Sequence, residues 1–295
     1  MAVAWVFPGQ GSQKVGMAEA VLNLPGARER FALASELLGR DLLAICSAPG
    51  EGLMDLNDTR NTQPALFVVE SLLVDVLRAE GRQPALVAGH SLGELVALYA
   101  AGVFDAETGL ALMRLRGELM ASAGGGAMAA VIGFDAEQMR ELVAATEGVV
   151  IANDNSEAQV VLSGTPEAVA EVSGALRCKR AIPLAVSGAF HSPFMAEAAS
   201  RFATALEPVP FADASVPVLS NTDPTPERSG DALKARLTRQ MTTGVRWRET
   251  MACLPRQGIR TAVEIGPGQV LSGLIKRGCP GLETAQVSTA ADLGL

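Results

Sequence analysis

An apolar run, Ala85–Ala88, stops at Gly89-His90-Ser91-Leu92-Gly93, and a helical stretch begins at once, from Leu92 to about Ala101, with Gly102 placed to cap it. No other feature narrows the fold as much. A short, wholly apolar strand that turns this abruptly into a helix belongs in a parallel sheet whose two faces are covered. Val3–Phe7 repeats the pattern, halting at Pro8-Gly9 and feeding the loop Gly9-Gln10-Gly11-Ser12-Gln13. Helical stretches at Phe31–Leu38 and Pro64–Arg78 separate the two runs. Later the alternation resumes: a helix through Phe194–Leu206, a strand at Val216–Ser220, a helix near Asp231–Gln240, and a strand at Thr261–Ile265 whose Gly266-Pro267-Gly268 turns into a last helix.

The middle of the chain reads differently. After Gly124-Gly125-Gly126, strands are expected at Ala127–Ile132, Val149–Asn153, Gln159–Gly164 and Arg180–Val186. Helices are expected at Ala136–Thr146 and Pro166–Leu176, the second with its proline in the first turn. The order βαββαβ is that of a ferredoxin-like subdomain. The organisation predicted is a large α/β domain, 1–124 and 189–295, interrupted by a small one, 125–188.

Composition removes several classes of function. Net charge is −8, which argues against a nucleic-acid partner. His90 and His191 are the only histidines, and the four cysteines form no CxxC pair, so no metal site is expected. Isolated thiols suit a reducing, cytoplasmic setting. The N-terminus has no basic stretch of a signal peptide, and the longest apolar tract, Pro84 to Phe104, is broken by His90 and Glu94, so no membrane span is expected.

Gly89-His90-Ser91-Leu92-Gly93 fits G-x-S-x-G, in which a sharp strand-to-helix turn exposes a strained serine and the helix N-terminus offers N–H groups to an oxyanion. A serine hydroxyl needs a base, and histidine suits it. His90 adjoins Ser91 in what reads as an extended strand-end, where neighbouring side chains diverge. That leaves His191, in Gly188-Ala189-Phe190-His191-Ser192-Pro193. Asp105, Asp135 and Asp154 lie between the two in sequence, but none sits at a recognisable strand end. A backbone carbonyl could orient the imidazole instead. On a helix from Ala106 to Ser122, Arg116 falls in the middle of the apolar arc of Leu112, Met113, Leu115, Leu119 and Met120, opposite Arg114 and Glu118. A buried guanidinium needs a partner, either an internal carboxylate or that of a bound molecule. The Gly9 loop has no lysine to complete a phosphate-binding Walker motif.

Taken in order, Phe7-Pro8-Gly9-Gln10-Gly11-Ser12-Gln13, Thr62-Gln63-Pro64-Ala65-Leu66, Gly89-His90-Ser91-Leu92-Gly93-Glu94, the Arg116 helix, Phe190-His191-Ser192 and Glu264-Ile265-Gly266-Pro267-Gly268 span nearly the whole chain. Together they resemble the malonyl-CoA:acyl carrier protein transacylase family. The resemblance implies an α/β-hydrolase-like core, acylation of Ser91, His191 as base, Arg116 on the malonyl carboxylate, and an oxyanion hole from the backbone N–H groups of Gln10 and Leu92. It also implies that the backbone carbonyl of Gln240 orients His191 and that Phe190 favours malonyl. Gln63 and Asn153 are candidates for lining the pocket. Malonyl-CoA and acyl carrier protein would be the partners of a monomer that needs no cofactor, the phosphopantetheine arm belonging to the carrier. An acidic carrier would dock on basic residues, for which Arg177, Lys179, Arg180, Lys276 and Arg277 are candidates. A serine hydrolase or thioesterase, a non-catalytic carrier-binding or assembly subunit, and an acyltransferase of a polyketide or malonate-decarboxylase system are the rival readings.

Overall fold

The computed structural model describes residues 2–186 and 188–294; Met1, Ser187 and Leu295 lie outside the described residues. Five strands, β1 (Val3–Phe7), β2 (Leu86–Gly89), β7 (Val218–Leu219), β8 (Thr261–Ile265) and β9 (Glu283–Val287), form one parallel sheet in the order β7-β2-β1-β8-β9. In β1, Trp5 and Phe7 enter a core cluster with Phe67, Leu72 and Leu95, while Ala4 and Val6 enter another with Leu86, Trp247 and Leu274. Both faces of the sheet are thus dry, which is why β1 and β2 read as unbroken apolar runs. The expected α/β architecture with a parallel sheet is present.

The remaining strands, β3 (Ala127–Phe134), β4 (Val149–Ser156), β5 (Gln159–Gly164) and β6 (Cys178–Pro183), form a separate antiparallel sheet in the order β4-β5-β3-β6. Its helices, Ala136–Ala145 and Pro166–Ala175, help to enclose a third core around Val131, Met139, Leu162 and Val172. An isolated bridge between Gly124 and Gly188 closes the neck of this segment. On its far side β4 docks against the loop before the helix Trp247–Arg256: Val245 N–H donates to Ala152 O at 2.8 Å, Asp154 N–H donates to Val245 O at 2.9 Å, and Arg248 pairs with Asp154 at 2.7 Å. Between the neck and this dock lies the cleft described below.

Several elements differ from the sequence reading: the helices Leu42–Ser47 and Trp247–Arg256 were not foreseen, and the strand expected at Arg180–Val186 lies at Cys178–Pro183. The polar edge strand β9 was not foreseen, because half of ETAQV faces solvent and shows no apolar run. The helix expected from Pro64 begins five residues earlier and spans Thr59–Ala79, capped by Asp58, so Pro64 sits inside it. Proline cannot donate to the carbonyl four residues back. That carbonyl, Arg60 O, instead accepts from Arg40 Nη2 at 3.2 Å, while Arg40 Nε donates to Asn61 Oδ1 at 2.6 Å. Pro255 repeats the device in Trp247–Arg256: the released Met251 O accepts from Cys279 Sγ at 3.4 Å. Among the described residues no helix is long and apolar enough to cross a membrane.

The Pro64 arrangement is testable by urea unfolding. Arg40→Leu should cost about 1–3 kcal/mol by leaving Arg60 O unpaired. Adding Pro64→Ala, which restores the missing N–H, should recover part of that loss, whereas Pro64→Ala alone should change stability little.

Candidate active site

The elbow after β2 is built by glycine. A Cβ on Gly89 would lie 1.9 Å from the Gly93 carbonyl, and one on Gly93 would lie 2.2 Å from Phe7 O. Only bare backbone lets the helix Gly93–Ala100 start so close to the ends of β1 and β2. Between these glycines Ser91 takes φ 54°. The strand-end is therefore not extended at Ser91, as the sequence suggested, but bent into the left-handed region. His90 still leaves the serine, for this different reason, and its Nε2 lies 2.8 Å from Asn155 Oδ1, with the ring edge-on to Trp247.

His191 has φ 55°, and among the described residues Ser91 and His191 are the only non-glycine residues with positive φ. Both strained residues meet: Ser91 Oγ donates to His191 Nε2 at 2.7 Å. On the other side of the ring, His191 Nδ1–H donates to the backbone carbonyl of Gln240 at 2.9 Å, which fixes the tautomer with Nε2 free to accept. Among the described residues no carboxylate completes a triad. Asp105 and Asp135 cap the helices Ala106–Ser122 and Ala136–Ala145, and Asp154 pairs with Arg248.

Arg116 is 1% exposed. Its Nη1 donates to Gln63 Oε1 at 2.8 Å, and its Nη2 donates to Gln240 Oε1 at 2.9 Å and to Ser91 Oγ at 3.2 Å. Among the described residues no acidic side chain lies at ion-pair distance from it, so of the two partners the sequence allowed, the internal salt bridge is absent. Burial pushes its pKa down to about 10, opposed by the more distant Glu94, and it stays charged at neutral pH.

Gln10, Gln63, Ser91, Leu92, Arg116, Asn153, Phe190 and His191 line one narrow cleft of about 80 Å³, with Met128, Leu184 and Val186 from the inserted segment on the facing wall. Gln240 stands behind it, reaching in through its carbonyl and its amide. Among the described residues, the backbone N–H groups of Gln10 and Leu92 meet no acceptor within the chain, so both are free for a developing oxyanion. Asn153 Oδ1 is buried and unpartnered there as well. No group of acidic, His or Cys side chains among the described residues could hold a metal.

Sequence reasoning missed two supporting residues. Asn221, just beyond β7, accepts from Ser91 N–H through Oδ1 at 2.7 Å and donates through Nδ2 to Gly89 O at 2.6 Å. Glu94, fully buried, accepts through Oε2 from Asn221 N–H at 3.0 Å and from Gln240 Nε2 at 2.7 Å. Gln240 Nε2 also donates to Ser91 O at 2.9 Å. The signal for Asn221 was only its place after a strand.

Residues 4–294 match the family described as acyl transferase domain. The chain is 51% identical to the malonyl CoA-acyl carrier protein transacylase of Synechocystis sp., over 99% of both chains. The crystal structure of the Synechocystis malonyl-CoA:ACP transacylase superposes with a TM-score of 0.96, covering 100% of this chain and 99% of that one. A malonyl-transacylase solved with its type II polyketide acyl carrier protein is 40% identical, with a TM-score of 0.90 over 99% and 98% of the two chains.

Burial pushes the His191 pKa down to about 3, the Arg116 charge adds to this, and the Gln240 carbonyl opposes it. An ordinary histidine protonates below about 6.5 and ceases to be a base. His191 stays neutral well below that value, so the reactivity of Ser91 toward an acylating or phosphonylating probe should hold between about pH 8 and pH 5. Replacing Arg116 with leucine removes the second cause and should move the acid limb to higher pH. Measured labelling rates that halve near pH 6.5 in the unaltered protein would contradict this. The same shift makes folding stability decrease as pH drops from about 6.5 toward about 3, because the unfolded chain binds a proton that the folded one refuses.

Proposed function

The chain belongs to the acyl transferase domain family, and from that membership and the geometry of its cleft we propose that it carries a malonyl group from malonyl-CoA to the phosphopantetheine thiol of acyl carrier protein, for fatty acid synthesis. The supporting observation is a guanidinium buried beside a Ser–His pair with no acidic partner of its own. A planar fork in such a place suits a bidentate carboxylate, and malonyl is an acyl group that ends in one.

Ser91 Oγ attacks the thioester carbonyl and its proton passes to His191 Nε2. The tetrahedral oxyanion is held by the N–H groups of Gln10 and Leu92, each worth about 3–4 kcal/mol of barrier. The C–S bond breaks, CoA sulfur takes the proton from His191, and malonyl remains as an ester on Ser91. The carrier thiol then gives its proton to His191, its sulfur attacks the ester, and Ser91 leaves with the proton restored. The exchange is ping-pong. Arg116 holds the malonyl carboxylate throughout, in place of some of the hydrogen bonds it makes to Gln63 and Gln240. Phe190 and Asn153 wall the acyl pocket. No resident cofactor takes part, since the reactive thiol arrives on the partner.

The fold is read in the same terms: an α/β-hydrolase-like core of residues 1–124 and 189–295, and a ferredoxin-like insert of 125–188. The order β4-β5-β3-β6 with two intervening helices supports the latter, and the Gly124–Gly188 bridge supports its limits. A complete site within one chain supports a monomer, and four cysteines without a disulfide support a cytoplasmic setting. The likeness to a transacylase solved with a polyketide carrier favours a second reading, in which the carrier serves polyketide assembly and the chemistry is unchanged.

Intact mass and peptide mapping after incubation with malonyl-CoA should find malonyl on Ser91, released only slowly to water and rapidly to the carrier thiol. Fast release without carrier would instead mark a thioesterase. Arg116→Ala should lose about 2–5 kcal/mol in malonyl selection while acetyl transfer suffers less; equal losses would dismiss the assigned role. Of the basic docking candidates, Arg177 is already paired with Asp135 at 2.9 Å. Lys179 and Arg180 are exposed on β6, and reversing both to Glu should raise the KM for the carrier and leave that for malonyl-CoA unchanged.

A further inference from the structure

The helix Gly93–Ala100 that follows the nucleophile is buried on every side, and the one charge it carries is Glu94, at 0% exposure. Its Oε2 accepts from two neutral donors, the Gln240 amide and the Asn221 N–H. Burial raises the pKa of this carboxyl, opposed by those hydrogen bonds and by the Arg116 charge, so a carboxylate so placed needs a counter-charge to stay ionised. The counter-charge within reach is Arg116, two hydrogen bonds away: Arg116 Nη2 donates to Gln240 Oε1 at 2.9 Å, and Gln240 Nε2 donates to Glu94 Oε2 at 2.7 Å. One amide separates the two charges. Its orientation is not free, since Ser91 O and Glu94 accept and so demand the NH2 group, while the guanidinium donates and so demands the oxygen.

We propose that Glu94 is a specificity-determining residue: the counter-charge of Arg116, held one amide away so that the guanidinium stays charged in the empty cleft yet keeps its hydrogen bonds exchangeable for those of a substrate carboxylate. Direct contact would fill the guanidinium fork with an internal carboxylate and shut the substrate out. With no acid nearby, the empty site would hold an uncompensated buried cation. The intervening amide gives compensation without occupancy. The resident charge also repels an incoming carboxylate, so it sets how strongly the cleft prefers an anionic acyl group over a neutral one. This part of the proposal rests on the malonyl reading of Arg116.

Glu94→Gln keeps the shape and an acceptor oxygen for Asn221 and Gln240 and removes only the charge. Rates of Ser91 acylation by malonyl-CoA and acetyl-CoA then separate a specificity role from a purely structural one. The ratio of their kcat/KM values is expected to rise about three- to tenfold in favour of malonyl, because the bound carboxylate no longer shares the cation with Glu94. Glu94→Asp, which keeps the charge, should retain the original ratio even if both rates fall. A ratio that is unchanged or lower in Glu94→Gln, or one that rises as much in Glu94→Asp, would overturn the proposal.

A thermal-unfolding cycle covers the case in which Glu94→Gln folds poorly. Glu94→Gln and Arg116→Leu each strand one buried charge, so the double variant, which has neither, should unfold at a higher temperature than the sum of the single losses predicts. Losses that simply add would reject the pairing. The cycle uses no substrate. A wild-type chain that takes no malonyl at all would therefore sink the functional reading while the cycle still reports on the charge pair.

Discussion

A cation is buried against the hydroxyl of Ser91, the proposed nucleophile, and the rest of the cleft is arranged to make that tolerable. Arg116 Nη2 lies 3.2 Å from Ser91 Oγ, where it favours the alkoxide as the proton leaves and disfavours a second positive charge on His191. The same guanidinium therefore lowers the pKa of the base and steadies the group that the base activates. Such a charge can be held only if its donors are satisfied without being neutralised at contact, because a contacting carboxylate would both take the fork and quench the field. Two glutamine oxygens meet that condition, Gln63 Oε1 and Gln240 Oε1.

Gln240 is consequently bound to His191, Arg116, Ser91 and Glu94. Its backbone oxygen sets the His191 tautomer, its side-chain oxygen holds Arg116, and its nitrogen ties down Ser91 O and Glu94. Strain at Ser91 and at His191, the two left-handed residues, persists because each is fixed by such contacts on both sides. At Ser91 the second clamp is Asn221, bonded to the N–H of Ser91 and to the carbonyl of Gly89. A backbone held this firmly keeps the hydroxyl and the open N–H groups of Gln10 and Leu92 in register before substrate arrives, so little reorganisation accompanies the reaction.

What the sequence made legible follows from the range of each interaction. The elbow could be read because its glycines, its serine and its flanking periodicities are contiguous. Arg116 could be read because helical geometry alone places it in an apolar arc. His191 could be reached by elimination, although the argument from an extended strand-end was wrong in its premise, since Ser91 is bent. Gln240 was visible only through family resemblance, because its orienting atom is a backbone carbonyl that every residue possesses. Glu94 shows in the sequence as an interruption of an apolar tract and as the end of a family motif, but its partners, Gln240 and Asn221, are brought to it only by the fold. Asn221 joins the elbow across more than a hundred residues of chain, and its place after a strand says nothing of that partner. No local trace marks β9, whose pairing with β8 is a tertiary fact, nor the helix running through Pro64, which depends on Arg40 supplying the donor that proline lacks.

The position of the inserted segment follows from the same constraint on the cation. A parallel sheet leaves its functional side chains at the carboxyl ends of the strands, open to water. Water over Arg116 would screen its charge and leave little reason to prefer one acyl group over another. The insert closes that side with Met128, Leu184 and Val186, apolar side chains that contribute no competing charge, and with Asn153, an uncharged amide. Its attachment at two places, the glycine neck at 124 and 188 and the β4 contact with Val245, holds this wall against the core from both ends. The resulting space is narrow, and on the proposed reading it admits a short acyl chain whose single carboxylate the cation selects.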